Sequence, residues 1–320
     1  MSIINLAFAA LSFILLFGYF QLARKYQILD YPNHRSSHTN PIIRGAGVIF
    51  PISFFLYNSY ASFPIVYVSI GLLIISIVSF IDDLKTISSK TRFIFQLFAV
   101  VFLVYQLYLL IPIHWIFYMP LVIFMVGVVN AFNFMDGING ITGLYSLTAI
   151  ATLYFLRSYF LEIVDSLFFE WMIISIIIFL FFNFRKSAVC FCGDIGSISL
   201  AFIILFFVAY LVFKTQNFKY ALFLYIYGLD TGYTILYRML KGEKVLEAHR
   251  LHFFQLLVHN YKMPHLWVSI FYALSQLALN CWLINSDSHH LLFYIPFIFI
   301  YILMEIFRYK INHSIFRYER

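Results

Sequence analysis

The chain has 320 residues, 63% hydrophobic and only 11% charged, with a mean hydropathy of +0.89. Soluble domains carry roughly 25% charged residues, so composition excludes a soluble protein and places the chain in a lipid bilayer. Three cysteines exclude a disulfide framework, and the +7 net charge becomes informative once its placement along the chain is followed.

A hydrocarbon core needs about 20 apolar residues per helical span. In chain order the apolar segments are 3–22, 46–62, 64–81, 93–111, 115–134, 141–160, 167–184, 198–213, 219–240, 266–285 and 291–307. Eleven candidate spans follow, or ten if two neighbours merge. The polar stretches between them are loops, so residues 1–320 form one polytopic, all-α membrane domain. The first segment has no preceding Lys or Arg and no following small-residue cleavage site, so it reads as a retained span rather than a signal peptide. Basic residues favour the cytoplasmic side. With the N-terminus outside and the C-terminus cytoplasmic, 18 of the 21 Lys and Arg residues fall on inside segments. The positive charge is thus gathered on one membrane face, where it meets lipid head groups and not nucleic acid.

The unusual polar residues gather on the same side. They lie in "DYPNHRSSHTNPIIRGAG" (30–47), "FIDDLKTISSKTRF" (80–93), "NAFNFMDGING" (130–140), "NFRKSAVCFCGDIGS" (183–197) and "KGEKVLEAHRLHFFQLLVH" (241–259). Outside connections are short and plain. A channel or transporter needs polar groups along a path across the bilayer. Here Asp230 alone sits near the middle of an apolar segment, and no internal repeat of the kind found in transporters is visible. A transporter or flippase of a phosphorylated polyprenyl lipid remains the alternative reading. An enzyme that meets one soluble and one lipid substrate fits the asymmetry better.

Each carboxylate has a plain structural role to weigh against a chemical one. Asp82 and Asp83 are adjacent and point about 100° apart on a helix; solvation of a helix end is their plain role. Asp136 ends a span, with Asn130, Asn133 and Gly137 on one helical face that could be a packing seam. Asp194 precedes a span and could be an N-cap. All four facing one compartment, beside Asn oxygens, suit Mg²⁺, which binds through one or two carboxylates plus substrate phosphates. Lys85, Lys90, Arg92, Arg185, Lys186 and Arg250 suit phosphate oxygens. His249 and His252, spaced i, i+3 beside Arg250, are read as phosphate or sugar contacts. Cys190-x-Cys192 lacks the second pair a zinc site needs. The residues alone therefore point to a membrane phosphotransferase.

The motifs "RSSHTNPIIRGAG", "FIDDLKTISSKTRFIFQ", "NAFNFMDGINGITG", "FCGDIGS" and "DTGYTILYRMLKGEKVLEAHRLHFFQLL", in this order over about residues 30–257, resemble those of the polyprenyl-phosphate N-acetylhexosamine-1-phosphate transferases. That resemblance implies transfer of a sugar-1-phosphate from a UDP-N-acetylhexosamine to undecaprenyl phosphate at the cytoplasmic face of a bacterial inner membrane, with Mg²⁺ or Mn²⁺ as cofactor and UMP as product. It implies that Asp194 and Asn133 hold the metal, and that Asp82 and Asp83 lie at the reacting phosphates, with Asp136 beside them. By the same resemblance Asn139 and Phe191 recognise uracil, and His249, Arg250 and His252 touch the sugar phosphate. Lys90 or Arg92 meets the lipid phosphate or pyrophosphate, and Arg44 joins the substrate-binding set. Asn139 stands where many members carry a second Asp, so it is not expected as a metal ligand. The segment "AHRLHFFQ" is most similar to the O-antigen- and capsule-initiating members and lacks a triple-histidine run. A CDP-alcohol phosphotransferase is excluded by the spacing around Asp136–Gly137. The resemblance expects no nucleic-acid partner and allows a homodimer.

Overall fold

The structure, a computed structural model, describes residues 2–32, 40–243, 251–286 and 294–318, with side chains up to residue 306. His249 and Arg250 lie outside the described residues. Among the described residues are twelve α-helices: α1 (Ile3–Lys25), α2 (Ile49–Tyr60), α3 (Val66–Leu84), α4 (Ser89–Leu110), α5 (Tyr118–Met135), α6 (Ile141–Phe155), α7 (Ser166–Asn183), α8 (Gly193–Thr215), α9 (Tyr225–Leu240), α10 (Phe253–His259), α11 (His265–Asn285) and α12 (Ile295–Tyr318). All but α10 coincide with an expected apolar segment. Seven are long and apolar enough to cross a membrane by length and composition: α1, α3, α4, α5 with its leading turn, α7, α8 and α11. The all-α, multi-pass architecture is as the composition requires.

α8 is the axis of the bundle. Its apolar window is 100% buried, whereas no other long apolar helix exceeds 50%. A helix that is apolar all round belongs in an interior, and α2, α3, α4, α5 and α6 all pack on α8. The other helices keep apolar side chains such as Leu73, Ile77, Phe98 and Ile123 exposed, as a lipid-facing surface should. Between helices, small and amide side chains act as polar ties: Ser76 meets Ser199 at 2.9 Å and Asn130 donates to Gln96 at 2.8 Å.

Three expected spans are shorter than their apolar runs. The segment expected at 46–62 opens with a 3₁₀ turn, Ala46–Val48, and stops at Tyr60, beyond which Ser62 and Phe63 take positive φ. α6 gives way to a 3₁₀ turn at Arg157–Tyr159. The segment expected at 219–240 is divided, with 3₁₀ geometry over Phe218–Leu224 before α9. Gln276 of α11 stabilises that last junction, accepting the Ile226 N–H at 2.9 Å and donating to the Leu222 carbonyl at 3.0 Å. A hydrophobicity count cannot register such a break, because the residues on both sides stay apolar.

The loops at the polar end are tied together by backbone bonds. Strand β1 (Leu29–Asp30) pairs antiparallel with β2 (Ile42–Ile43), and Ile43 bridges in parallel to Cys190. Phe191 donates its N–H to Ile43 at 2.7 Å, Ala46 donates to Phe191 at 3.0 Å, and Gly47 donates to Cys192 at 2.9 Å. Gly47 and Gly196 are both glycine because their backbones touch: a Cβ on Gly47 would lie 2.3 Å from Gly196 Cα.

Candidate active site

α3, α4, α5 and α8 all present their polar ends to one region, and Arg44, just after β2, reaches into it. The adjacent carboxylates of Asp82 and Asp83 end α3 and are both buried, yet they point to different partners, as a 100° helical step requires. Asp83 turns toward α8, accepting the backbone N–H of Asp194 and of Ile195 at 3.0 Å each. Arg44 Nε donates to the same carboxylate at 2.8 Å. Asp83 therefore supplies the cap for the first turn of α8, where four backbone N–H groups lack intrahelical partners. Gly193 (φ +74°) starts that turn, and a Cβ there would lie 2.5 Å from Asp83 Oδ2 and 2.7 Å from Gly45 Cα. Only glycine fits both the left-handed backbone and the space.

Asp82 turns toward α4. It accepts the Ile87 N–H at 2.6 Å and the Arg92 guanidinium at 2.9 Å. The same Arg92 Nη1 lies 3.3 Å from Asp194 Oδ2, and the Asp82 and Asp194 carboxyls are within hydrogen-bonding reach of each other. Asn133 reaches Asp194 as well, and its amide donates to Ser197 Oγ at 3.4 Å. Two carboxylates held this close repel each other unless a cation stands by. Arg92 serves that role here, and the oxygen-rich group of Asp82, Asp194 and Asn133 fits a hard divalent cation of the Mg²⁺ kind. Among the described residues no group of three His, Cys, Asp or Glu residues meets the geometry of a metal cage, so any such cation would draw remaining ligands from water or substrate.

Asp136 caps the end of α5. Burial pushes its pKa up to about 7; the nearby Thr142 hydroxyl opposes the shift, the Asp83 carboxylate adds to it and Arg44 opposes it. For Arg44, burial works against the charge, but Asp83 and Asp194 outweigh it and hold the pKa above its usual value. Burial also raises the Cys190 and Cys192 thiols, Cys192 further through Asp136 and Asp83.

The remaining candidates divide. Lys90 is exposed at the start of α4, with Arg92 half-buried a helical step away. Asn139 is buried, donates to the Arg185 carbonyl at 2.8 Å and accepts from Ser269 through its backbone oxygen. Phe191 keeps a partly exposed ring while its backbone joins the Ile43–Ala46 ladder. His252 is 2% exposed at the start of α10, near the Phe134 ring and 3.6 Å from the Asp230 carboxylate. Sequence reasoning missed Tyr19, which donates to the Arg44 carbonyl at 2.6 Å, and Asn183, which accepts from Gly140 and donates to Cys190. A lone Tyr in an apolar helix carries no signal; Asn183 at the end of α7 could have been flagged as a polar residue closing a span.

Residues 65–214 match the family model described as glycosyl transferase family 4. The matched stretch runs from α3 through α8 and contains Asp82, Asp83, Arg92, Asn133, Asp136, Asn139, Phe191 and Asp194, while Arg44 and His252 lie beyond it. The match spans slightly under half of the chain and is a likeness to that family. No curated protein gives a significant match to the chain.

Proposed function

We propose that the protein transfers an N-acetylhexosamine-1-phosphate from a UDP-sugar to undecaprenyl phosphate, with Mg²⁺ or Mn²⁺, as the first membrane step of a bacterial cell-surface polysaccharide. The supporting observation is the convergence of Asp82 and Asp194 on Arg92, backed by Asp83 with Arg44 and by Asp136. Such a group neutralises and orients phosphates at a membrane interface. The one-sided basic residues support a cytoplasmic site, where nucleotide sugars are found.

In this reading an oxygen of the lipid phosphate attacks the β-phosphorus of the UDP-sugar. The bond to the bridging oxygen breaks and UMP leaves with that oxygen. Both reactants are anionic, so catalysis comes from positioning and charge neutralisation. Arg92 and Lys90 receive the lipid phosphate, Arg44 steadies the carboxylate framework, and Asp194 with Asn133 and Asp82 would hold the cation. That cation, when bound, screens the pyrophosphate charge. Asn139 keeps its amide oxygen and one N–H for uracil, and Phe191 offers a ring face. A phosphate with its second pKa near 6 needs little help from a base at neutral pH, which favours direct displacement over an aspartyl-phosphate intermediate. One phosphoanhydride replaces another, so the equilibrium constant lies within about tenfold of unity, or ~1.4 kcal/mol.

The test is to incubate purified protein with undecaprenyl phosphate and a panel of UDP-sugars, then weigh the organic-soluble product by mass spectrometry. A polyprenyl-pyrophosphoryl sugar formed from one donor supports the reading and identifies the sugar. No lipid-linked product from any donor, with folded protein, contradicts it.

A further inference from the structure

Among the described residues, Asp230 is a fully buried carboxylate that the proposed chemistry leaves unused. It lies within α9, ten residues before that helix ends. A buried charge in a membrane bundle is costly unless donors surround it. Asp230 Oδ1 accepts the backbone N–H of Phe253 at 2.7 Å; Oδ2 accepts the Phe254 N–H at 3.3 Å and the Tyr272 hydroxyl at 2.7 Å. His252 Nδ1 stands 3.6 Å from Oδ1. Arg238, two turns along α9, donates to Glu243 at 2.9 Å.

These bonds join three elements. The carboxylate comes from α9, two of its donors open α10, and the hydroxyl comes from α11. α10 in turn touches the candidate site. The Phe254 ring lies on Gly137, where a Cβ would come within 2.8 Å of it. Gly137 follows Asp136 directly. Removing the carboxylate would leave two buried N–H groups and a tyrosine hydroxyl without that acceptor, which is costly for each such group.

We propose that Asp230 is a positioning residue: it docks α10 against the Asp136–Gly137 turn and so sets the donor side of the active site. The inference rests on the reading of Asn139, two residues beyond that turn, and of His252, at the start of α10, as contacts of the nucleotide sugar. Asp230 itself touches no reacting atom in it. The start of α10 is thereby held by one side chain within α9, and that link gives Asp230 a role distinct from lining a transport path.

The experiment compares wild-type protein with Asp230→Asn and Tyr272→Phe in lipid nanodiscs. Hydrogen exchange over residues 251–259 reads docking directly, and kinetics with both substrates reads its consequence. Asp230→Asn is expected to speed exchange at Phe253 and Phe254 and to raise KM for the UDP-sugar roughly tenfold, the scale of one charge-assisted bond. The kcat should change by less than about threefold, and KM for undecaprenyl phosphate should not move. Tyr272→Phe should do the same to a smaller degree, and it serves if Asp230→Asn does not fold. Unchanged exchange in either folded variant, or faster exchange with both KM values unchanged, overturns the proposal. If the wild-type protein turns over no UDP-sugar, the donor role falls with the reaction, while the exchange rates at Phe253 and Phe254 still decide the docking.

Discussion

Asp83 accepts the backbone N–H of Asp194 at 3.0 Å across 111 residues of sequence. One carboxylate thus sets the orientation of another: Asp83 caps α8, and Asp194 stands in the first turn that the cap holds. Its neighbour Asp82 instead shares Arg92 with Asp194. Adjacent aspartates therefore divide the work, one holding the frame and one facing the substrate region.

Substitution should separate the two. Asp83→Asn loses the charge that Arg44 meets and weakens the two capping bonds, and should lower stability by roughly 1–3 kcal/mol. Asp82→Asn keeps an acceptor for Ile87 and should lower stability less while abolishing most turnover. Thermal unfolding in detergent beside an activity assay measures both. Equal stability losses in the two variants would contradict the division.

Gly193 gives a sharper structural contrast. Gly193→Ala meets Asp83 and Gly45 at 2.5 and 2.7 Å in a left-handed backbone, and should cost about 2 kcal/mol or more. Gly18→Ala, with nothing within 4 Å of the new Cβ, should be neutral or stabilise α1 by up to about 1 kcal/mol. The two melting temperatures test the close approach at the α8 start.

Asp136 introduces a pH dependence of stability. Its folded pKa of about 7 lies above the ordinary aspartate value of 3.8, so the folded state binds the proton more tightly than the unfolded chain. Without divalent cation, stability should be greatest near pH 4, fall as pH rises, and level off above about 7. The loss should amount to a few kcal/mol, since each unit is worth about 1.4 kcal/mol. Asp136→Asn should flatten the curve and be the more stable protein at pH 8. A wild-type curve that rises over the same range would refute the assignment.

Sidedness is open to direct labelling. With Cys281 replaced by Ser, and Cys190 and Cys192 buried, Lys90→Cys should react with a membrane-impermeant maleimide only from the cytoplasmic side. Leu161→Cys, between α6 and α7 and 59% exposed, should react only from the opposite side. Labelling of both from one side would break the topology.

Much of this architecture was legible because hydrophobicity has a scale of its own: an apolar run near 20 residues can only be a helix in lipid. Asp82, Asp136 and Asp194 stood out because carboxylates at the ends of such runs are rare. What the chain concealed were relations between distant segments. Nothing local tells Asp82 from Asp83, since their difference lies in α8 and α4. α10 escaped notice because "FFQLLVH" is too short to be a span, and its partner Asp230 lies 23 residues away from Phe253. The resemblance offers the Asn139 amide to uracil, yet one of its N–H groups is committed to the Arg185 carbonyl, which no motif could reveal. The division of the segment before Tyr225 was hidden for the same reason, because Gln276 comes from another helix.

The central claim is a transfer that consumes a lipid phosphate and releases UMP at Asp194. Its most direct measurement is UMP release by purified protein with the reactive UDP-sugar, with and without undecaprenyl phosphate and Mg²⁺, alongside Asp194→Asn. The expected result is release that requires lipid, metal and Asp194 together, with the variant reduced by at least about 100-fold in a folded protein. Release that persists without lipid, or at full rate in Asp194→Asn, would contradict the account.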